Sequence, residues 1–263
     1  MKGSWDSLMP KILQDATSLT GYIKELVTGF DFDFLKMVSQ GYDGANVMSG
    51  HCSGVQTQVR QFAPYATYIH CHAHALNLVL VKSVKSVPIA AEFFALLEAL
   101  YVFFSPTKAH DVFMEKQSQL HPEKQPMELQ KLSDTRWVCR FAAVNAICCT
   151  YDSVLLSLEE ISVSHDAAKA IEARGLYHQV RSFTFLVSLV TFDRILTCTK
   201  QLSDQLQSSS LNLSSASHLV VATKSLLSEY RSDDYWKKVY DYASTIANSH
   251  DIPIQSGRDQ GRR

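Results

Sequence analysis

Between Ser18 and Thr28, the apolar residues Leu19, Tyr22, Ile23, Leu26 and Val27 recur at the spacing that gathers side chains on one face of a helix. Gly29 follows as a stop. The apolar-leaning run Phe32 to Val38 then reads as a short strand. Beyond Gly50, Val55, Val59 and Phe62 share a helical face up to Pro64, and Tyr65 to Cys71 has the aromatic and β-branched bias of a second strand. A helix from about Ala73 to Lys85 continues the alternation, which argues for an α/β sheet with helices packed on it.

From Pro88 onward the strand pattern stops. Phe93, Leu96, Leu97, Leu100, Val102 and Phe104 suit a long buried helix, Pro106 can open the next, and Pro122 and Pro126 mark a loop. Further helices are expected at 134–162, 166–174, 177–207, 215–230 and 233–249. In the last, Trp236, Val239, Tyr240, Ala243, Ile246 and Ala247 form an apolar stripe, with Ser232 or Asp233 as N-cap. The serine-dense piece 208–218 reads as a helix-to-helix turn, and the polar tail from Pro253 as disordered. The fold expected is therefore α/β followed by α: few short strands within 1–105, an all-helical region over 106–252, a tail at 253–263, and a mostly helical chain.

Composition adds exclusions. With 25 Lys plus Arg against 26 Asp plus Glu, no global positive field draws nucleic acid or an anionic membrane, so any DNA contact must be local. The six cysteines show no paired framework and no signal peptide opens the chain, which favours a reducing compartment. The most hydrophobic stretch, Val87 to Phe104, is interrupted by Pro88, Glu92 and Glu98, so no membrane partner is expected. No small-molecule substrate is expected either.

Three stretches could carry chemistry. In "SQGYDGANVMSG", Asp43 lies between Gly41 and Gly44 behind a predicted strand. An Asp beside Gly is most often a turn former, but at a strand's carboxyl end it can bind a divalent cation if other carboxylates converge on it. In "HCHAHALNL", His70, Cys71, His72 and His74 crowd together downstream of His51 and Cys52. That suggests zinc, yet structural zinc draws ligand pairs from separate elements and no second pair is present. His74 and Asn77 would share a helix face, where a hydrogen-bonded His74 is the plainer reading. In "KLSDTRWVCRF", Arg136, Trp137 and Arg140 stand in the opening turns of a helix, an arrangement that can stack on a nucleobase or, more ordinarily, pack a core.

Taken together and in order, "SQGYDGANVMSG", "GVQTQV", "YIHCHAHALNL" and "DTRW" resemble the hAT-superfamily DNA transposases, in particular the transposase-derived proteins of zinc finger MYM-type-like kind. Those also carry a "DQLQ" segment like Asp204 to Gln207, and the resemblance spans residues 18–252. It implies an RNase H-like core with a helical insertion, in which three acids hold two Mg²⁺ or Mn²⁺ ions for DNA strand transfer. Asp43 would be the second acid, Cys71 and His74 the C-x-x-H motif beside it, and Trp137 the tryptophan near bound DNA, flanked by Arg136 and Arg140. The first acid would lie upstream of this chain and the third, a glutamate, beyond it. The resemblance therefore implies a relic truncated at both ends, whose metal site at Asp43 is incomplete. No cofactor is expected unless Mg or Mn joins a triad completed elsewhere. Weak binding of DNA or protein, or self-association, is the expected role, and nuclear residence is what the resemblance implies.

Overall fold

The computed structural model describes residues 15–133, 137–208 and 212–254. The chain divides into two compact units, one ending at Leu76 and the other beginning at Asn77.

In the first unit, Asp15 caps helix α1 (Ala16–Gly29), its carboxylate accepting from Thr17 N and Ser18 N, as N-cap residues do for otherwise unpaired amides. Two short strands follow, β1 (Ser39–Tyr42) and β2 (Thr67–His70), separated by α2 (Asn46–Ser49) and α3 (Val55–Phe62). They pair in parallel, with Ser39 opposite Thr67 and Tyr42 opposite His70. The core is small: Val55, Val59, Ala63 and Ala66, with Leu19, Ile23, Phe34, Met37 and Phe62 against them. Gln40 is buried in the middle of β1 because its amide reaches across the unit, donating to Gln56 O (3.1 Å) and Ala66 O (3.0 Å).

The first strand is not where the apolar pattern placed it. Phe32 to Val38 forms no strand: Asp31 turns the chain at φ 55°, and the Asp33 carboxylate accepts from Leu35 N to start a single 3-10 turn, Phe34–Lys36. Residues spaced as in a helical turn, Phe34 and Met37, then reach the core while Phe32, Leu35 and Val38 are left exposed. The strand falls instead on Ser39–Tyr42, whose composition carries little β-propensity. Pairing with β2 decides its position.

Helix α4 (His72–Lys85) begins beside β2, close to the predicted start. The second unit is helical among its described residues: α5 (Pro88–Phe104), α6 (Thr107–Leu120), α7 (Trp137–Ser162), α8 (Ala167–Val180), α9 (Phe183–Leu206), α10 (Leu213–Glu229) and α11 (Asp233–Ser249). Proline opens α5, where its missing N–H costs nothing. Its residues Phe93, Leu97, Leu100 and Phe103 enter one continuous core with Phe113 of α6, Val144, Val154 and Leu158 of α7, Ala173 of α8 and Leu186 and Leu196 of α9. Phe93 stacks on Phe192 with ring centroids 5.1 Å apart.

Three helical details depart from the sequence reading. The break expected after Arg174 lies instead at Arg181 and Ser182, where the Ser182 hydroxyl accepts from Phe185 N; Gly175 is absorbed into α8. Helix α7 kinks at Thr150 (φ −125°, ψ 16°), whose hydroxyl donates to Ala146 O at 2.7 Å, a bond that competes with the backbone ladder. On α11, Ser232 is the cap, and Tyr235, Val239, Ala243, Ile246 and Ala247 face the core while Trp236 is exposed. Among the described residues, helix α7 is also long and apolar enough to cross a membrane by length and composition, with 61% of its apolar window buried within the protein. Of the predicted tail, Pro253 and Ile254 are exposed, and the remainder lies outside the described residues.

Candidate functional site

Parallel pairing brings two of the three sequence stretches to the same end of the sheet. Because Tyr42 lies opposite His70, the chain leaves β1 through Asp43 and Gly44 just beside the point where it leaves β2 through Cys71. Cys71 N donates to Tyr42 O (2.9 Å), and the Tyr68 hydroxyl donates to Asp43 O (3.2 Å). The Tyr42 and Tyr68 rings stack with centroids 6.2 Å apart, and burial pushes the Tyr42 phenol above its ordinary range.

Gly44 is held by contact with His70. A Cβ built at Gly44 would come within 2.8 Å of His70 Cε1 and 2.9 Å of His70 Nε2, so only a residue without a side chain leaves that ring in place. His70 and His74, on β2 and α4, sit with ring centroids 5.9 Å apart. His70 Nε2 is buried with no hydrogen-bond partner among the described residues. Asp43, Gly44, His70, Cys71 and His74 thus form one corner.

Asp43 is exposed, and its Oδ1 accepts from Ala45 N (3.1 Å), the local turn that an Asp before Gly commonly makes. The turn-forming role and the strand-end position therefore coexist in one residue. Cys71 and His72 are exposed as well. Among the described residues, no group of three or more His, Cys, Asp or Glu side chains is placed to hold a metal ion.

The third stretch belongs to the other unit, where Trp137 and Arg140 are buried. Trp137 is 1% exposed, and its Nε1 donates to Thr199 Oγ1 at 2.7 Å. An indole so enclosed has no face on which a base could stack, which corrects the nucleobase reading of this residue. Arg140 is also buried, its Cζ lying 4.4 Å from the centroid of the Phe94 ring, a cation–π contact inside the fold. Arg140 lines a cleft of about 400 Å³ with Val84, Glu98 and Lys131, where the Glu98 carboxylate accepts from Leu132 N (2.9 Å). Arg136 lies outside the described residues.

Sequence reasoning missed Gln40 and Tyr68, which fix the corner. Gln40 carried no signal, since a lone Gln in "SQGY" announces neither burial nor its long-range bonds. Gly44 could have been found, because a glycine after a turn-forming Asp invites the question of what approaches it.

No protein-family model matches the chain, and no solved structure matches it significantly.

Proposed function

We propose that this chain derives from a hAT-type DNA transposase, that its two strands and the helices between them are part of an RNase H-like core, and that within these residues it acts by binding rather than by catalysis. The observation that carries the reading is the corner itself. The two motifs on which the resemblance rests most, around Asp43 and around Cys71 and His74, are separate in sequence yet joined through the Cys71 N to Tyr42 O bond and the His70 ring packed on Gly44. That juxtaposition is what a strand-end metal site of this kind would require. Two-metal phosphoryl chemistry needs several carboxylates converging on the ions, and a single exposed Asp43 supplies one. With Trp137 and Arg140 buried and charge nearly balanced, a protein partner or a second copy fits the described surface better than DNA does. Nuclear residence follows only from the transposase-derived reading.

A second reading, of a metal-dependent nuclease active only with carboxylates supplied by further residues or another chain, is favoured by one observation: the Asp43 carboxylate stands exposed at the end of a parallel strand. Mn²⁺ titration followed by electron paramagnetic resonance separates the two. The binding-module reading expects no site tighter than about 1 mM, the weak range of an isolated carboxylate, and no nicking of supercoiled DNA. Tight Mn²⁺ binding abolished in Asp43→Ala, together with nicking, would establish the nuclease instead.

A further inference from the structure

The chain bends by 67° between α8 and α9, and the corner uses up its own polar groups: the Ser182 hydroxyl donates to Gln179 O (2.8 Å) and accepts from Phe185 N (3.2 Å). Helix α5 packs beside this corner and turns Ile89, Glu92, Phe93 and Leu96 toward it, residues three and four apart on one helix face. Between them lies a cleft of about 390 Å³, the size of a small-molecule site. Its walls are apolar. The Phe93 and Phe185 rings, with centroids 5.5 Å apart, are both buried, and Leu96 packs against the same core.

Two polar groups in the cleft lack partners, and they differ in depth. Ser188 is 8% exposed and lines the cleft, yet its hydroxyl makes no hydrogen bond among the described residues. A mid-helix hydroxyl commonly donates to the carbonyl four residues back, as Thr191 does to Val187 O (2.7 Å) on the same helix. One left without a partner is costly to bury unless something in the cleft completes it. Glu92 stands exposed on the rim beside His178, and its carboxylate forms no ion pair among the described residues. By contrast Glu128, in the smaller cavity beside Tyr101 and Phe104, is already held by His110 at 3.0 Å. Among the described residues, no lysine or arginine lines the Glu92 cleft.

We propose that this cleft binds a small amine carried on a hydroxylated aromatic ring. The ring lies against Phe93, Leu96 and Phe185, its hydroxyl meets Ser188 at the closed end, and its ammonium meets Glu92 at the rim. Each part answers one feature. The apolar walls call for a compact hydrophobic body, the unpartnered buried hydroxyl for a neutral polar group at the inner end, and the free carboxylate for a cation at the outer one. An anionic ligand is disfavoured, because Glu92 repels it and no cationic side chain offsets that charge. The inference is independent of the transposase-derived reading, since it uses neither the Asp43 corner nor DNA.

Titration of the chain with tyramine, followed by two-dimensional ¹H–¹⁵N NMR near pH 8, where a free imidazole is ordinarily neutral, should give saturable shifts on α5 and at the α8–α9 corner. The expected Kd is about 0.1–1 mM, the range of a fragment-sized ligand. Two probes separate the two ends: 2-phenylethylamine, which lacks the hydroxyl, should bind more weakly, and 3-(4-hydroxyphenyl)propionate, which replaces the ammonium by a carboxylate, more weakly still. Ser188→Ala should bring tyramine down to the affinity of 2-phenylethylamine and leave the latter unchanged, the signature of a direct contact. Glu92→Gln should weaken both amines by up to about five-fold, the size of an exposed ion pair. Both variants should fold, since one removes an unpartnered hydroxyl and the other changes an exposed side chain, and unchanged urea midpoints check this. No saturable shift by about 10 mM tyramine, beyond the weakest fragment affinity expected, overturns the proposal. So does equal affinity for the carboxylate probe, indifference to both substitutions, or tighter binding of Nα-acetyl-lysine amide, which would assign the cleft to a partner's lysine instead.

Discussion

Truncating Trp137 distinguishes a core residue from a ligand-facing one. Its indole is 1% exposed, and its N–H donates to Thr199 Oγ1 at 2.7 Å, while that hydroxyl in turn donates to Ile195 O at 2.8 Å. Replacing so large and enclosed a side chain by alanine removes its burial and leaves a cavity, which costs about 3–5 kcal/mol. Against a total stability of roughly 5–15 kcal/mol, this is a large fraction. Thr199→Val isolates the polar part: it preserves shape but leaves the buried indole N–H without its acceptor, for about 1–3 kcal/mol. Trp137→Phe removes the N–H itself, so the cost of Thr199→Val should shrink by about 1 kcal/mol when introduced into that background, the coupling expected of directly bonded groups. Urea unfolding followed by circular dichroism measures all four variants against the unsubstituted chain. If Trp137→Ala loses under about 1 kcal/mol while selectively losing affinity for a DNA duplex in fluorescence anisotropy, the indole is not core and the burial argument is wrong.

Further outcomes follow from the sheet corner and the helical core. Gly44→Ala should destabilise the first unit by about 1–3 kcal/mol, because the new methyl displaces the His70 ring, and His70→Ala should recover much of that loss; hydrogen exchange at the amides of β1 and β2 reads the effect, and equal losses in both backgrounds would remove the contact. Tyr151 is buried, its hydroxyl donates to Val180 O (3.0 Å), and burial pushes its phenol well above the ordinary value of 10.0, against the opposing pull of the Arg181 charge. A raised folded value means the unfolded chain releases its proton first, so stability is full below about pH 10 and falls as pH rises above it. Tyr151→Phe should flatten part of that slope and cost about 0.5–1.5 kcal/mol at neutral pH. Tyr230, pushed up to about 12 chiefly by burial, keeps some slope in the variant, so urea midpoints from pH 7 to 11 that are unchanged by Tyr151→Phe would refute the assignment.

The helices were largely legible because their information is local. Apolar residues three and four apart announced α1, α3, α5 and α11, and Pro106 and Ser232 marked starts through backbone chemistry that needs no distant partner. The misses share a cause. Phe32 to Val38 looked like a strand because alternation and a helical turn both fit so short an apolar run, and the choice fell to which residues could reach Val55 and Val59. Gly175 looked like a stop, but helix α8 continues through it because Ala170, Ala173, Leu176 and Val180 are all buried against the helical core. Trp236 looked like core and is exposed, since Tyr235 takes the inward place one residue earlier.

Sequence by itself determined that the chain is mostly helical after Pro88 and that a short βα-type segment precedes it. Tertiary structure alone decided that Asp43 and Cys71 share a corner and that Trp137 and Arg140 are enclosed. The physical reason is range: helical periodicity and capping act within a few residues, whereas strand pairing, burial of an indole and the closeness of a ring to a glycine depend on segments that only folding brings together.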